Sequence, residues 1–150
     1  MAVTISSDAL DFIRKSAAAS PDFEVCGLLL GEGDHIVAAV ACANVAAEPG
    51  HRFEIDPAAL IAAHRAARAG GPGVVGHYHS HPTGLAEPSP RDAADAAPDG
   101  SIWLIAGGAA VTAWRAVAAG ERHGRFDRLA LACAGMAPAS QWHNSSRDFS

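Results

Sequence analysis

Gly76-His77-Tyr78-His79-Ser80-His81-Pro82, followed after a short loop by Ser89-Pro90-Arg91-Asp92, is the stretch on which the reading of this chain turns. It leaves a Gly-Gly-Pro-Gly turn at residues 70–73, and Val74-Val75 open it as a β-strand. Successive strand side chains point to opposite faces, so His79 and His81 project together and Ser80 points away. Two imidazoles on one face of a strand end form a metal clamp, and Asp92 can add an oxygen ligand if the loop turns back. Two histidines and one carboxylate with an open position is the pattern of a catalytic rather than a structural zinc. His77 shares that face further back. A catalytic metal keeps an open position, so His77 reads as packing or as support for the ligands. Ser89-Pro90-Arg91-Asp92 is also a capping box, with Ser89 as N-cap, Pro90 at the first helical position and Asp92 at the third. The two roles of Asp92 are compatible, because a helix start is a stable platform whose amides favour negative charge.

Composition sets the bounds. The 150 residues suit one domain, and the apolar fraction of 49% is enough for a core, which excludes global disorder. A net charge of −5 with no basic stripe argues against nucleic acid or an anionic membrane as partner. No apolar run reaches transmembrane length. Asp8, Asp11 and Arg14 stand where a secretory signal would need an apolar run. Cys26, Cys42 and Cys133 are odd in number and widely spaced, which fits a reduced, cytoplasmic setting better than a disulfide framework.

Outward from the central stretch, Ser7 or Asp8 caps a first helix running to about Ala19, ended by Ser20-Pro21. Phe23–Leu30 reads as a buried strand closed by the turn at Gly31–Asp34, with its partner over Ile36–Val45. Arg52–Ile55 reads as a short strand. Asp56-Pro57 is a strong helix start, and that helix continues to the glycines at 70 and 71. Past the central stretch, a short helix from Ser89 precedes strands at Ser101–Ala106, Ala110–Val117 and Phe126–Cys133. The class is α/β or α+β around a mixed sheet.

Hydrolysis at a zinc also needs a carboxylate to carry protons. Glu24, Glu32, Glu48, Glu54 and Glu87 are all available. Glu24 stands out as an acid at the head of an apolar strand, where a charge needs a partner or a function, but composition and spacing do not choose among the five. Cys26, inside Val25-Cys26-Gly27-Leu28, reads as a small buried residue rather than a ligand. His35, His51, His64, His123 and His143 read as surface residues.

Taken together, Glu24-Val25-Cys26-Gly27-Leu28-Leu29-Leu30-Gly31, His79-Ser80-His81-Pro82 and Ser89-x-x-Asp92 resemble the JAMM (MPN-plus) metalloproteases. Their motif is a distant Glu, then His-x-His-Pro, six residues, Ser, two residues and Asp, and every position is matched here. The resemblance covers residues 1 to about 135, leaving 136–150 as a polar, flexible tail. It implies a curved mixed β-sheet flanked by helices, related to the cytidine-deaminase architecture. It implies one Zn2+ per chain on His79, His81 and Asp92, with Glu24 as general acid/base and Ser89 as a donor to the oxyanion. The implied activity is hydrolysis of the peptide or isopeptide bond after the C-terminal Gly-Gly of a ubiquitin-like or sulfur-carrier protein. The alternatives are a non-catalytic MPN-type interaction module and a different metal-dependent hydrolase on the same scaffold.

Overall fold

A computed structural model describes residues 2–82 and 84–134. The expected tail at 136–150 and His143 lie outside the described residues. The elements run β1 (Ala2–Ile5), α1 (Ser7–Ala18), β2 (Cys26–Glu32), β3 (His35–Cys42), α2 (Pro57–Arg68), β4 (Gly73–His81), α3 (Pro90–Asp95), β5 (Ile102–Gly107), β6 (Ala110–Gly120) and β7 (Gly124–Cys133).

The curved mixed sheet is present, and its curvature goes on to closure in the order β1-β3-β2-β4-β5-β6-β7. Strand β1, absent from the sequence reading, closes the ring by pairing in parallel with both β3 and β7. It is four residues long, yet Val3 and Ile5 are fully buried. Strand β4 lies between antiparallel β2 and parallel β5, and α3 lies on the β4–β5 crossover.

Period-two alternation divides the apolar residues between two cores. On β5, Ile102, Leu104 and Ala106 join Val3, Ile5, Leu10, Ile13, Leu29, Ile36 and Tyr78 under α1. Its other face sends Trp103 and Ile105 to a second cluster with Trp114, Ala116 and Phe126, against which Phe53 and Ala93 pack. Buried on both faces, β5 reads as a continuous apolar run. On β4, Tyr78 belongs to the first core, so His77, His79 and His81 face the second. Gly27 leaves room for the Tyr78 ring, since a Cβ there would lie 2.3 Å from a ring carbon and from the Val40 carbonyl oxygen.

Several boundaries differ from the sequence reading. Ser6, not Ser7 or Asp8, caps α1 and accepts a hydrogen bond from the Ala9 amide. The strand expected from Phe23 begins at Cys26, so Glu24 precedes the strand in irregular chain. Arg52–Ile55 forms no strand, only an isolated bridge from Ile55 to Asn44. Its backbone is held chiefly by the Asn44 side chain, which accepts from the Glu54 amide and donates to the Arg52 carbonyl, with one backbone bond from the Val45 amide to the Glu54 carbonyl. Helix α2 starts as expected, with Asp56 capping the Ala58 amide and Pro57 in the first turn.

Candidate metal centre

His79 and His81 close β4 on the face predicted by strand alternation. The 84–88 loop then returns the chain so that Ser89 starts α3. Both halves of the capping box form: the Asp92 amide donates to Ser89 Oγ at 3.0 Å, and the Ser89 amide donates to Asp92 Oδ2 at 3.0 Å. The cap fixes the Asp92 side chain and aims its oxygen at the two rings. Asp92 Oδ2 lies 3.2 Å from His79 Nε2 and 3.1 Å from His81 Nε2, and the two Nε2 atoms are 3.1 Å apart.

This triangle fits a metal ion. His81 Nδ1 lies 2.9 Å from the Leu85 carbonyl oxygen, which can only accept, so Nδ1 donates and the neutral ring turns a lone pair inward at Nε2. The His81 lone pair, His79 Nε2 and a carboxylate oxygen thus converge on one point, an arrangement that suits a cation between them. Ligands at about 2.0–2.1 Å from a tetrahedral ion sit about 3.3 Å apart, close to the spacings found.

Protonation states agree with that role. Burial pushes the His79 imidazole below its ordinary value, leaving it neutral, although the hydrogen bond and charge of Asp92 oppose this. Burial alone would raise the Asp92 carboxyl, but hydrogen bonds from His79, His81 and the Ser89 amide hold it well below the usual carboxylate range. Burial also disfavours charge on His81, but Asp92 and the Leu85 carbonyl outweigh it and raise the ring's pKa.

Glu24 approaches the histidines from the irregular chain before β2. Its ligand atom and those of His79 and His81 all lie within 4.8 Å of one another. Of the two carboxylates, Asp92 is in direct hydrogen-bond contact with both rings and so is the better third ligand. Glu24 is buried, and its Oε1 has no hydrogen-bond partner. Burial is the main reason that its carboxyl is pushed up from 4.5 to about 7, with His81 opposing and Asp92 adding to the rise. Its backbone is pinned, the amide donating to the Pro49 carbonyl at 2.8 Å and the carbonyl accepting from Asn44 Nδ2 at 2.9 Å.

His77 packs against Trp103 with ring centroids 4.2 Å apart, so it is a packed residue on the ligand face. Cys26 is buried, and its thiol, pushed up to about 12 chiefly by burial, points to the carbonyls of Cys42 and Ala43. His35, His51, His64 and His123 are exposed. Two contributors escaped the sequence reading. Phe53 stacks on His79 at 4.3 Å and 17°, backing a ring whose Nδ1 has no partner. Asn44 organises the chain around Glu24, and its one signal in the sequence is a lone amide within the apolar run from Ile36 to Ala47.

The 84–88 loop is held from several sides. Besides the Leu85–His81 bond, Thr112 donates to the Ala86 carbonyl, Glu87 pairs with Arg122 at 3.2 Å, and His123 Nε2 lies 3.1 Å from the Pro88 carbonyl. Gly107 permits the close approach, because a Cβ there would lie 2.7 Å from the Ala86 amide nitrogen. Leu85 itself is 74% exposed. Beside His81, a cleft of about 450 Å³ is lined by Arg14, Ser80, Pro82, Gly107 and Val111 among others.

A profile of prokaryotic homologues of the JAB domain matches residues 6–119. The desampylase of Haloferax volcanii is 38% identical over 109 residues, which cover 69% of this chain and 78% of that protein. Among solved structures, a protein from Desulfitobacterium hafniense superposes with a TM-score of 0.72 at 23% identity, over 87% of this chain and 92% of its own. A JAB1/MPN domain protein from Archaeoglobus fulgidus superposes with a TM-score of 0.54 at 20% identity, over 87% and 97%.

Proposed function

Because the chain belongs to the family of prokaryotic homologues of the JAB domain and is a metallohydrolase of the JAMM type, we propose that it is a zinc peptidase cutting after the C-terminal Gly-Gly of a small ubiquitin-like or sulfur-carrier protein. The observation that carries this reading is the convergence of three acceptor atoms 3.1–3.2 Å apart, with a buried, unsatisfied carboxylate beside them. Identity to a desampylase supports a substrate of ubiquitin type.

In this reading His79, His81 and Asp92 hold one zinc. Bound there, the ion would act as a Lewis acid and lower the pKa of its water. Glu24 takes the proton of the attacking water and returns it to the leaving amine. Its raised pKa suits both halves of that exchange near neutral pH. Ser89 Oγ accepts from the Asp92 amide, which leaves its hydroxyl hydrogen free to donate to the oxyanion of the substrate carbonyl.

A non-catalytic interaction module would not need a complete ligand set, and none of the residues is missing. We place the enzyme in the cytoplasm. In support, Cys26, Cys42 and Cys133 are free thiols, and among the described residues no helix is long and apolar enough to cross a membrane. The test is cleavage of a ubiquitin-fold protein with a peptide attached after its terminal Gly-Gly. Mass spectrometry should show one cut, after the second glycine, and replacing that glycine with valine should abolish it. Cutting elsewhere, or indifference to the valine, would defeat the proposed specificity.

A further inference from the structure

Glu24 lies in irregular chain, yet it must meet a metal held by a strand and a helix far from it in sequence. Two side chains solve this problem. In the β2–β4 ladder Cys26 pairs with His79, which places Val25 beside Ser80. A regular antiparallel pair would exchange two backbone hydrogen bonds. Here the Ser80 amide donates to the Val25 carbonyl at 3.0 Å, but the Val25 amide donates to Ser80 Oγ at 2.9 Å. The side chain takes the place of the carbonyl, so the chain leaves the strand path at Val25 while staying tied to the residue between the two ligand histidines.

Asn44 holds the other side. Its Nδ2 donates to the carbonyls of Glu24 at 2.9 Å and Arg52 at 3.1 Å, and its Oδ1 accepts from the amides of Ala46 at 3.1 Å and Glu54 at 3.0 Å. These four bonds use the full capacity of the amide. One side chain thereby joins Glu24 to the 52–54 segment, whose Phe53 backs the His79 ring.

We propose that Asn44 and Ser80 are positioning residues that set the reach of the Glu24 carboxylate to the metal, Ser80 from the ligand strand and Asn44 from the segment behind His79. The proposal rests on the reading of Glu24 as the acid/base. A misplacement of about 1 Å can cost on the order of 10²-fold in rate, so a brace of this kind acts on turnover rather than on binding.

The experiment compares zinc-loaded wild type, Ser80→Ala, Asn44→Asp and Glu24→Gln on the peptide-extended ubiquitin-fold substrate. Ser80→Ala removes the acceptor of the Val25 amide. Asn44→Asp keeps both acceptor bonds and removes both donations. Turnover per bound zinc should fall by between about 10-fold and 10²-fold in each, with KM unchanged and one zinc retained per chain. If Glu24→Gln is inactive while both brace variants turn over like wild type per bound zinc, the brace is refuted and the function stands. A proportionate rise in KM, or loss of zinc in place of turnover, would also refute it. If wild type does not cleave, or Glu24→Gln cleaves normally, the functional reading itself falls.

Discussion

Replacing Glu24 with glutamine should stabilise the metal-free protein at alkaline pH. The carboxyl is buried, with one oxygen unpartnered, and is pushed from 4.5 to about 7 mainly by burial. A carboxyl whose folded pKa lies above its unfolded one binds its proton more tightly when folded, so ionisation works against the folded state. No cost is felt below pH 4.5; it grows between 4.5 and 7 and is complete above that. At about 1.4 kcal/mol per pH unit, the gap comes to about 3 kcal/mol. At pH 5 the same arithmetic leaves about 1 kcal/mol. His81, whose pKa is also raised, loses its own stabilising contribution as pH rises, so wild type alone cannot isolate Glu24. The difference between wild type and Glu24→Gln cancels the rest of the His81 contribution and keeps only its attraction to Glu24, which already opposes the rise of the Glu24 pKa. Urea unfolding of the chelator-treated proteins at pH 5 and pH 8 reads it directly. Glu24→Gln should exceed wild type by about 3 kcal/mol at pH 8 and by about 1 kcal/mol at pH 5. A variant no more stable than wild type at pH 8 would show that the carboxylate is already solvated or paired, and would remove the case for Glu24 as a buried, poised base.

Other outcomes follow from the same geometry. Asp92→Ala should lose zinc, measured by metal analysis, and should also cost about 1 kcal/mol of stability in the metal-free protein, because it removes the acceptor of the Ser89 amide in the α3 capping box. Ser89→Ala should keep zinc but lower kcat by about 10²-fold through the missing oxyanion donor, with about 1 kcal/mol lost from the cap. Leu85 is 74% exposed on a loop held from several sides at the metal site, so Leu85→Ser should raise KM for the protein substrate and leave hydrolysis of a short Gly-Gly peptide amide unchanged.

Legibility in the sequence followed the range of the interactions. His79 and His81 were readable because strand alternation is local. Ser89 and Asp92 were readable because a capping box is a four-residue pattern. Asp56-Pro57 marked α2 for the same reason. Glu24 was one of five carboxylates until the resemblance singled it out, since its place depends on contacts with Ser80, 56 residues away, through Val25 and on the amide of Asn44. Closure of the sheet was hidden because β1 has only four residues, and nothing near it in sequence reveals its pairing with β7 at the far end of the fold. Arg52–Ile55 looked like a strand because it is partly apolar, but one isolated bridge and the Asn44 side chain stand where a ladder would be.

The central claim is that His79, His81 and Asp92 hold one catalytic zinc. Titration of zinc into chelator-treated protein, with substrate cleavage followed at each addition, tests it most directly. Activity should rise in proportion to zinc and level off at one equivalent per chain, and His81→Ala should neither bind the ion nor recover cleavage. Full cleavage by the metal-free protein, or saturation with zinc that restores none, would contradict it.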